Sequence, residues 1–145
     1  MGAIVGLVTE KEARIAAATA RFQGRELDAR YLAYFECFNR QLFYEAHEVL
    51  EPLWLEQRRG PKAAFYKGLI QLAGAFLHVR KNRPGSAAAL FRLADANLEQ
   101  CPGTCDRLDV QAARSLIREW LCSLDAASFA VNPLGTTPRP ELRLK

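Results

Sequence analysis

The chain lacks the marks that identify most enzyme and membrane classes. No stretch approaches the ~20 unbroken apolar residues of a membrane span, so no spanning segment is expected. Gly60, Gly68, Gly74 and Gly85 stand isolated, which excludes a glycine-rich loop cradling phosphates. Ser86, Ser115, Ser123 and Ser128 sit in no nucleophile elbow. The four cysteines make no redox pair, because Cys101 and Cys105 are one residue too far apart, and no second pair completes a zinc site. Cys37 and Cys122 fall in apolar helical patterns and read as small buried hydrophobes. Met1 to Val8 has no basic region before its short apolar run, and Gly6 stands where a myristoylation signal wants Ser or Thr. A reduced, soluble, cytoplasmic protein is the expectation.

What is present is ordinary globular material. Half of the 145 residues are hydrophobic and a quarter are charged, enough for one helical domain over 1–145 that needs no disulfide or metal staple. The net charge of +4 is modest and its cations are scattered. The tightest clusters, Arg58-Arg59 with Lys62 and Arg80-Lys81 with Arg83, fall at expected helix ends, where cations complement the dipole. No nucleic-acid-reading motif accompanies them, so weak nucleic-acid binding through these six residues is only a second alternative.

Apolar spacing predicts an all-α bundle of about six helices. Thr9-Glu-Lys-Glu12 is a capping box opening the first, which runs towards Gly24. A second starts near Leu27, and Asn39-Arg-Gln turns the chain into a third from about Phe43 to Gln57. Arg59-Gly60-Pro61 ends it and puts a proline at the start of the fourth, about 62–80. That helix is apolar almost all round, as befits the buried centre of a bundle. A fifth runs from Ser86 to about Gln100, and Asp109 caps a sixth. Residues 1–25 read as an N-terminal helical extension and 132–145 as an extended C-terminal tail, with Leu142 and Leu144 alternating with charge.

The densest chemistry lies in Glu45-Ala-His47-Glu48-Val-Leu-Glu51-Pro-Leu-Trp54. His47 and Glu51 are four apart and share one edge of the third helix, while Glu45 and Glu48 sit further round. Lys67, Gln71, Gly74 and His78 form a narrow polar stripe on the fourth helix, spaced 4, 3 and 4. The economical inference is that this stripe meets the His47/Glu51 edge, with Tyr66 able to add its hydroxyl and Lys67 to neutralise a carboxylate. Such groups form either a buried hydrogen-bond network fixing helix register, or a site. Two histidines with Glu51 are a plausible ligand set for a divalent metal, with Glu48 as base. Against this, HExxE is short and common in helices. Pro52 should bend the helix just after the motif. Trp54 and Trp120 read as core.

Phe38 to Trp54, then Phe65-Tyr-Lys-Gly-Leu-Ile-Gln71, then His78 and Asn82, resemble the family catalogued as domain of unknown function 309. The likeness extends from about Tyr31 to Leu98, and Pro140 to Leu144 resembles that family's tail. It implies a small prokaryotic helical bundle with a buried central helix, and no activity. Its characteristic polar residues fall on Glu45, His47, Glu48, Glu51, Gln71 and His78. Two departures matter: Lys67 stands where Gln is common, and Pro52 where an acidic or apolar residue is usual. A cation at Lys67 disfavours a nearby metal, so no cofactor is expected. The favoured reading is a non-catalytic binding or structural module whose Glu/His motif forms a buried polar network, acting on an unidentified protein or small molecule and possible as a homo-oligomer. The alternative is a metal-dependent hydrolase using His47, Glu51 and His78 as ligands.

Overall fold

In a computed structural model, which describes residues 9–126, 134 and 139–145, the chain forms an all-α bundle. Its helices are α1 (Glu10–Arg21), α2 (Ala29–Asn39), α3 (Phe43–Gln57), α4 (Ala63–Arg80), α5 (Pro84–Glu99) and α6 (Val110–Ala126). Residues 1–8 of the expected extension, and the expected start of the tail at 132, lie outside the described residues. None of the described helices is long and apolar enough to cross a membrane.

The helix starts follow local chemistry. Thr9 Oγ1 accepts from the Glu12 N–H at 3.0 Å, and Glu12 returns a bond to the Thr9 N–H, completing the capping box. Asp28 caps α2 by accepting from the Arg30 N–H at 2.8 Å. Asp109 does the same for α6 through Ala112. The two prolines differ from expectation. Pro61 lies in the turn before α4, whereas Pro84 stands at the first position of α5 and starts that helix two residues early. Its fixed φ suits a first turn, where the missing N–H is no loss.

α4 is the centre. Phe65, Leu69, Leu72, Ala73, Ala75 and Phe76 are all fully buried. Phe76 gathers aromatic rings from four other helices: Phe38, Phe43, Phe91 and Trp120, with centroids 4.9–5.5 Å away. Gly68 lets α5 come close, since a Cβ there would lie 3.0 Å from Leu98 and 3.2 Å from the Ala94 carbonyl. Gly74 faces the Leu90 side chain rather than a neighbouring backbone. Tyr34, wholly buried, donates its hydroxyl to the Leu69 carbonyl at 2.6 Å and ties α2 to α4.

One element departs from the all-helical pattern. β1 (Thr104–Cys105) pairs antiparallel with β2 (Leu108–Asp109) through a two-residue turn. Asp106 and Arg107 in that turn both have positive φ, 45° and 67°, as a tight hairpin requires. Two-residue strands are too short for alternation to show. The turn is pinned from outside: Lys62 Nζ bonds Asp106 at 2.8 Å, and Tyr31 donates to the Asp106 carbonyl at 3.0 Å. Cys122, expected inside, is exposed on α6.

Candidate functional site

Helical geometry sends the motif residues of α3 in two directions. Glu45 and His47 are two residues, about 200°, apart on the helix wheel. Glu45 therefore points inward and is 4 % exposed. Arg14 of α1 reaches it with both Nε and Nη2, each 2.7 Å from the same carboxylate oxygen. Glu45 is thus a clasp between α1 and α3.

His47, Glu48 and Glu51 sit on the other side and remain partly exposed, at 32, 39 and 45 % for their side chains. His47 Nδ1 lies 3.1 Å from Glu48 and its Nε2 3.7 Å from Glu51, so both ring nitrogens face carboxylates of their own helix. The expected buried network is corrected here. Of the charged motif residues only Glu45 is buried, because His47 and Glu48 open onto a cleft and Glu51 stands partly exposed beside it.

That cleft holds about 340 Å³. α3 supplies Tyr44, His47 and Glu48; α4 supplies Lys67, Ile70, Gln71, Gly74, Leu77 and His78; Leu90 of α5 closes one side. The inferred meeting of the α4 stripe with the α3 edge is therefore present. Among the described residues no ion pair crosses it. Lys67, expected against a carboxylate, places its ammonium 4.2 Å from the centroid of the half-buried Trp54 ring. A cation over an indole face gains from the ring quadrupole without losing its water. Gln71 is fixed from behind, accepting from Asn97 of α5 at 2.6 Å. His78 Nδ1 is buried and has no hydrogen-bond partner among the described residues. Burial foremost, then the nearby Arg83 and Lys81, hold the His78 imidazole below its ordinary pKa.

This shift has a sign. The folded state prefers neutral His78, so its contribution to stability is complete above about pH 6.5, the ordinary histidine value. It is lost as pH falls from there through the folded pKa. Urea unfolding at pH 7 and pH 5 should show lower stability at pH 5, and His78→Asn should flatten that difference. An unaltered pH dependence in the variant would assign the effect elsewhere.

Tyr66 does not join the cleft. It is buried, with its hydroxyl 3.5 Å from Asp106 at the hairpin turn, and burial with that carboxylate pushes its pKa up to about 12. Among the described residues no three His, Cys, Asp or Glu side chains sit together as a metal ion would need. The alternative set of His47, Glu51 and His78 is not assembled, and Glu51 does not line the cleft. Two of the six cations named for nucleic acid are engaged, Lys62 by Asp106 and Arg80 by the Gln41 carbonyl and the Phe43 ring. Sequence reasoning missed Tyr44, Ile70, Leu77 and Leu90. Tyr44 alone carried a signal, standing three and four residues before His47 and Glu48.

Comparison with known proteins bears on this region. Residues 31–90 match the family model described as domain of unknown function (DUF309). All residues lining the cleft fall within that span. An uncharacterised protein of Aquifex aeolicus (strain VF5) is 29 % identical over 79 residues, 54 % of this chain. The aligned part is 24 % of that relative, so the chain spans about a quarter of its length. No solved structure matches the chain.

Proposed function

We propose, from the premise that residues 31–90 carry the domain of unknown function 309, that this region is a non-catalytic binding module whose α3–α4 cleft holds a small ligand. The supporting observation is that the polar side chains of the two walls do not satisfy one another. Among the described residues no hydrogen bond or ion pair joins them; His47 turns to Glu48 and Glu51, and Gln71 to Asn97. A network built for helix register would close across the gap. Ile70, Gly74, Leu77 and Leu90 give the cleft an apolar middle. Lys67 lies towards one end of α4, Gln71 near its middle and His78 towards the other end; at 1.5 Å per residue His78 is about 16 Å along the axis from Lys67 and about 10 Å from Gln71. The ligand this suits is a small molecule with an apolar body and a carboxylate or amide end, met by Lys67 and Gln71. His78 and the His47–Glu48 pair serve the far end and rim. Treating 1–145 as one helical domain in the cytoplasm belongs to the same proposal, supported by four cysteines that are all free.

The chain has only two histidines, and both line the cleft. Imidazole NMR signals therefore report on it without crowding. Linear monocarboxylates and their amides, added at millimolar concentration, should shift both histidine signals, and Lys67→Met should weaken the acids more than the amides. If neither signal moves with any member of the series, the reading fails.

A further inference from the structure

We propose that the hollow between the end of α1, α2 and β2 is a docking site for an extended peptide with leucines two residues apart, and that residues 139–145 are its occupant in cis. The tail is held by its main chain. Asn39 of α2 donates through Nδ2 to the Leu142 carbonyl and accepts at Oδ1 from the Leu142 N–H, both at 2.8 Å. Leu144 forms an antiparallel bridge with Leu108, and the Lys145 N–H donates to the Arg107 carbonyl at 2.7 Å. The tail therefore lies along the hairpin edge and meets it through a single antiparallel bridge, covering groups that an edge otherwise leaves open.

Side chains alternate along it. Pro140 and Leu142 are buried, Leu144 is half-buried, and Glu141, Arg143 and Lys145 are exposed. Backbone pairing plus alternate apolar anchors is the physics of strand addition, in which affinity comes from the main chain and selectivity from the pockets. None of these contacts depends on the segment being joined to the rest of the chain. A hollow of about 370 Å³ remains beside the docked tail, lined by Phe22, Leu32, Phe35 and Arg40 among others. The tail leaves room that a bulkier partner would fill.

The geometry also sets sequence limits. The position of Leu142 cannot be proline, because its N–H is bonded to Asn39. Two residues earlier proline is accepted, since Pro140 stands there. The linked tail competes at an effective concentration in the millimolar range, so a free peptide binds the unaltered chain weakly.

The test uses full-length protein and a fluorescent synthetic peptide of residues 140–145. In the double variant Leu142→Asp/Leu144→Asp the charged tail should leave the hollow. The peptide should then bind saturably, on the order of tenfold or more tighter than to the unaltered chain, the competing tail having been removed. Adding Asn39→Ala should weaken it about tenfold or more, the result of losing two ordinary hydrogen bonds. A peptide with proline at the Leu142 position should not bind. The proposal is overturned if the folded double variant, checked by circular dichroism, binds no peptide, or if Asn39→Ala changes nothing. Should the double variant not fold, spin-labelled peptide at millimolar concentration on the unaltered chain gives the same decision: broadening of the Asn39 and Arg107 amide signals supports the site, and none overturns it.

Discussion

Phe76→Ala lowers folding stability by about 3–5 kcal/mol, the range for deleting a buried phenylalanine ring. The upper half is expected because the ring has no exposed surface and touches four other aromatics. Three of these pairs are edge-on, at 79–87°, and the Phe43 pair is stacked at 20°. Aromatic pairs in such arrangements add about 0.5–1.5 kcal/mol each beyond burial, though the terms are not additive. Helices α2, α3, α5 and α6 all lean on this ring, so the cavity cannot collapse by moving one of them. With total stabilities of about 5–15 kcal/mol the variant is near its threshold. The melting temperature should fall by about 10–20 °C at roughly 3–5 °C per kcal/mol. Phe76→Leu, which keeps most of the volume, should lose less than half as much. Urea unfolding of the three proteins checks this. A cost below about 1.5 kcal/mol for the alanine variant would mean that α4 is not the keystone its apolar circumference suggests.

That circumference made the bundle legible. Phe65, Leu69, Leu72, Ala73, Phe76 and Val79 leave α4 no solvent face wider than the Lys67–Gln71–His78 stripe, and the structure buries it accordingly. The capping box at Thr9 and the cap at Asp109 gave two helix starts from local hydrogen-bonding rules alone. Prolines were less transparent. Pro61 and Pro84 each follow a breaker, but only Pro84 lies inside a helix, because what settles the choice is how the whole turn meets its neighbours. The hairpin was hidden for a different reason. Asp106 suits a left-handed turn position, but Arg107 does not advertise one. Its conformation is held by contacts far away in sequence, from Lys62 and Tyr31 to the preceding Asp106 and from the Lys145 N–H to its own carbonyl.

The cleft was half legible. Spacing of 3 and 4 placed Lys67, Gln71, Gly74 and His78 on one face, and that face does meet His47. Spacing could not say whether the facing polar groups would bond or stand apart, since that depends on the separation of two helices. Here Gly74, which has no side chain, lines a gap together with Leu77 and Leu90. Lys67 was misassigned because a carboxylate partner looks better on paper than an indole. Trp54 offers the ammonium an attractive face at the rim, where the charge keeps its water.

Glu45 is the residue whose role changes most between sequence and structure, and its partner gives the second large effect. Arg14→Met should destabilise the protein by about 2–3 kcal/mol. Removing one member of a fully buried pair costs about 3–5 kcal/mol, because the remaining charge is stranded. Arg14 keeps 39 % of its side-chain surface exposed while Glu45 keeps 5 %, so water partly relieves the loss. Glu45→Leu should cost less, since the cation left behind can turn to solvent. The double variant Arg14→Met/Glu45→Leu should recover most of the damage and end within about 1 kcal/mol of the unaltered chain, because apolar groups of similar size replace a buried pair nearly neutrally. Equilibrium unfolding of the four proteins yields the coupling directly. A loss below about 0.5 kcal/mol for Arg14→Met would reduce the pair to a surface contact. The cycle also separates clasp from cleft. If Glu45 only fastens α1 to α3, the double variant keeps the ligand-induced shifts of both histidines at unaltered affinity; if those shifts vanish while the protein stays folded, Glu45 shapes the site through α3.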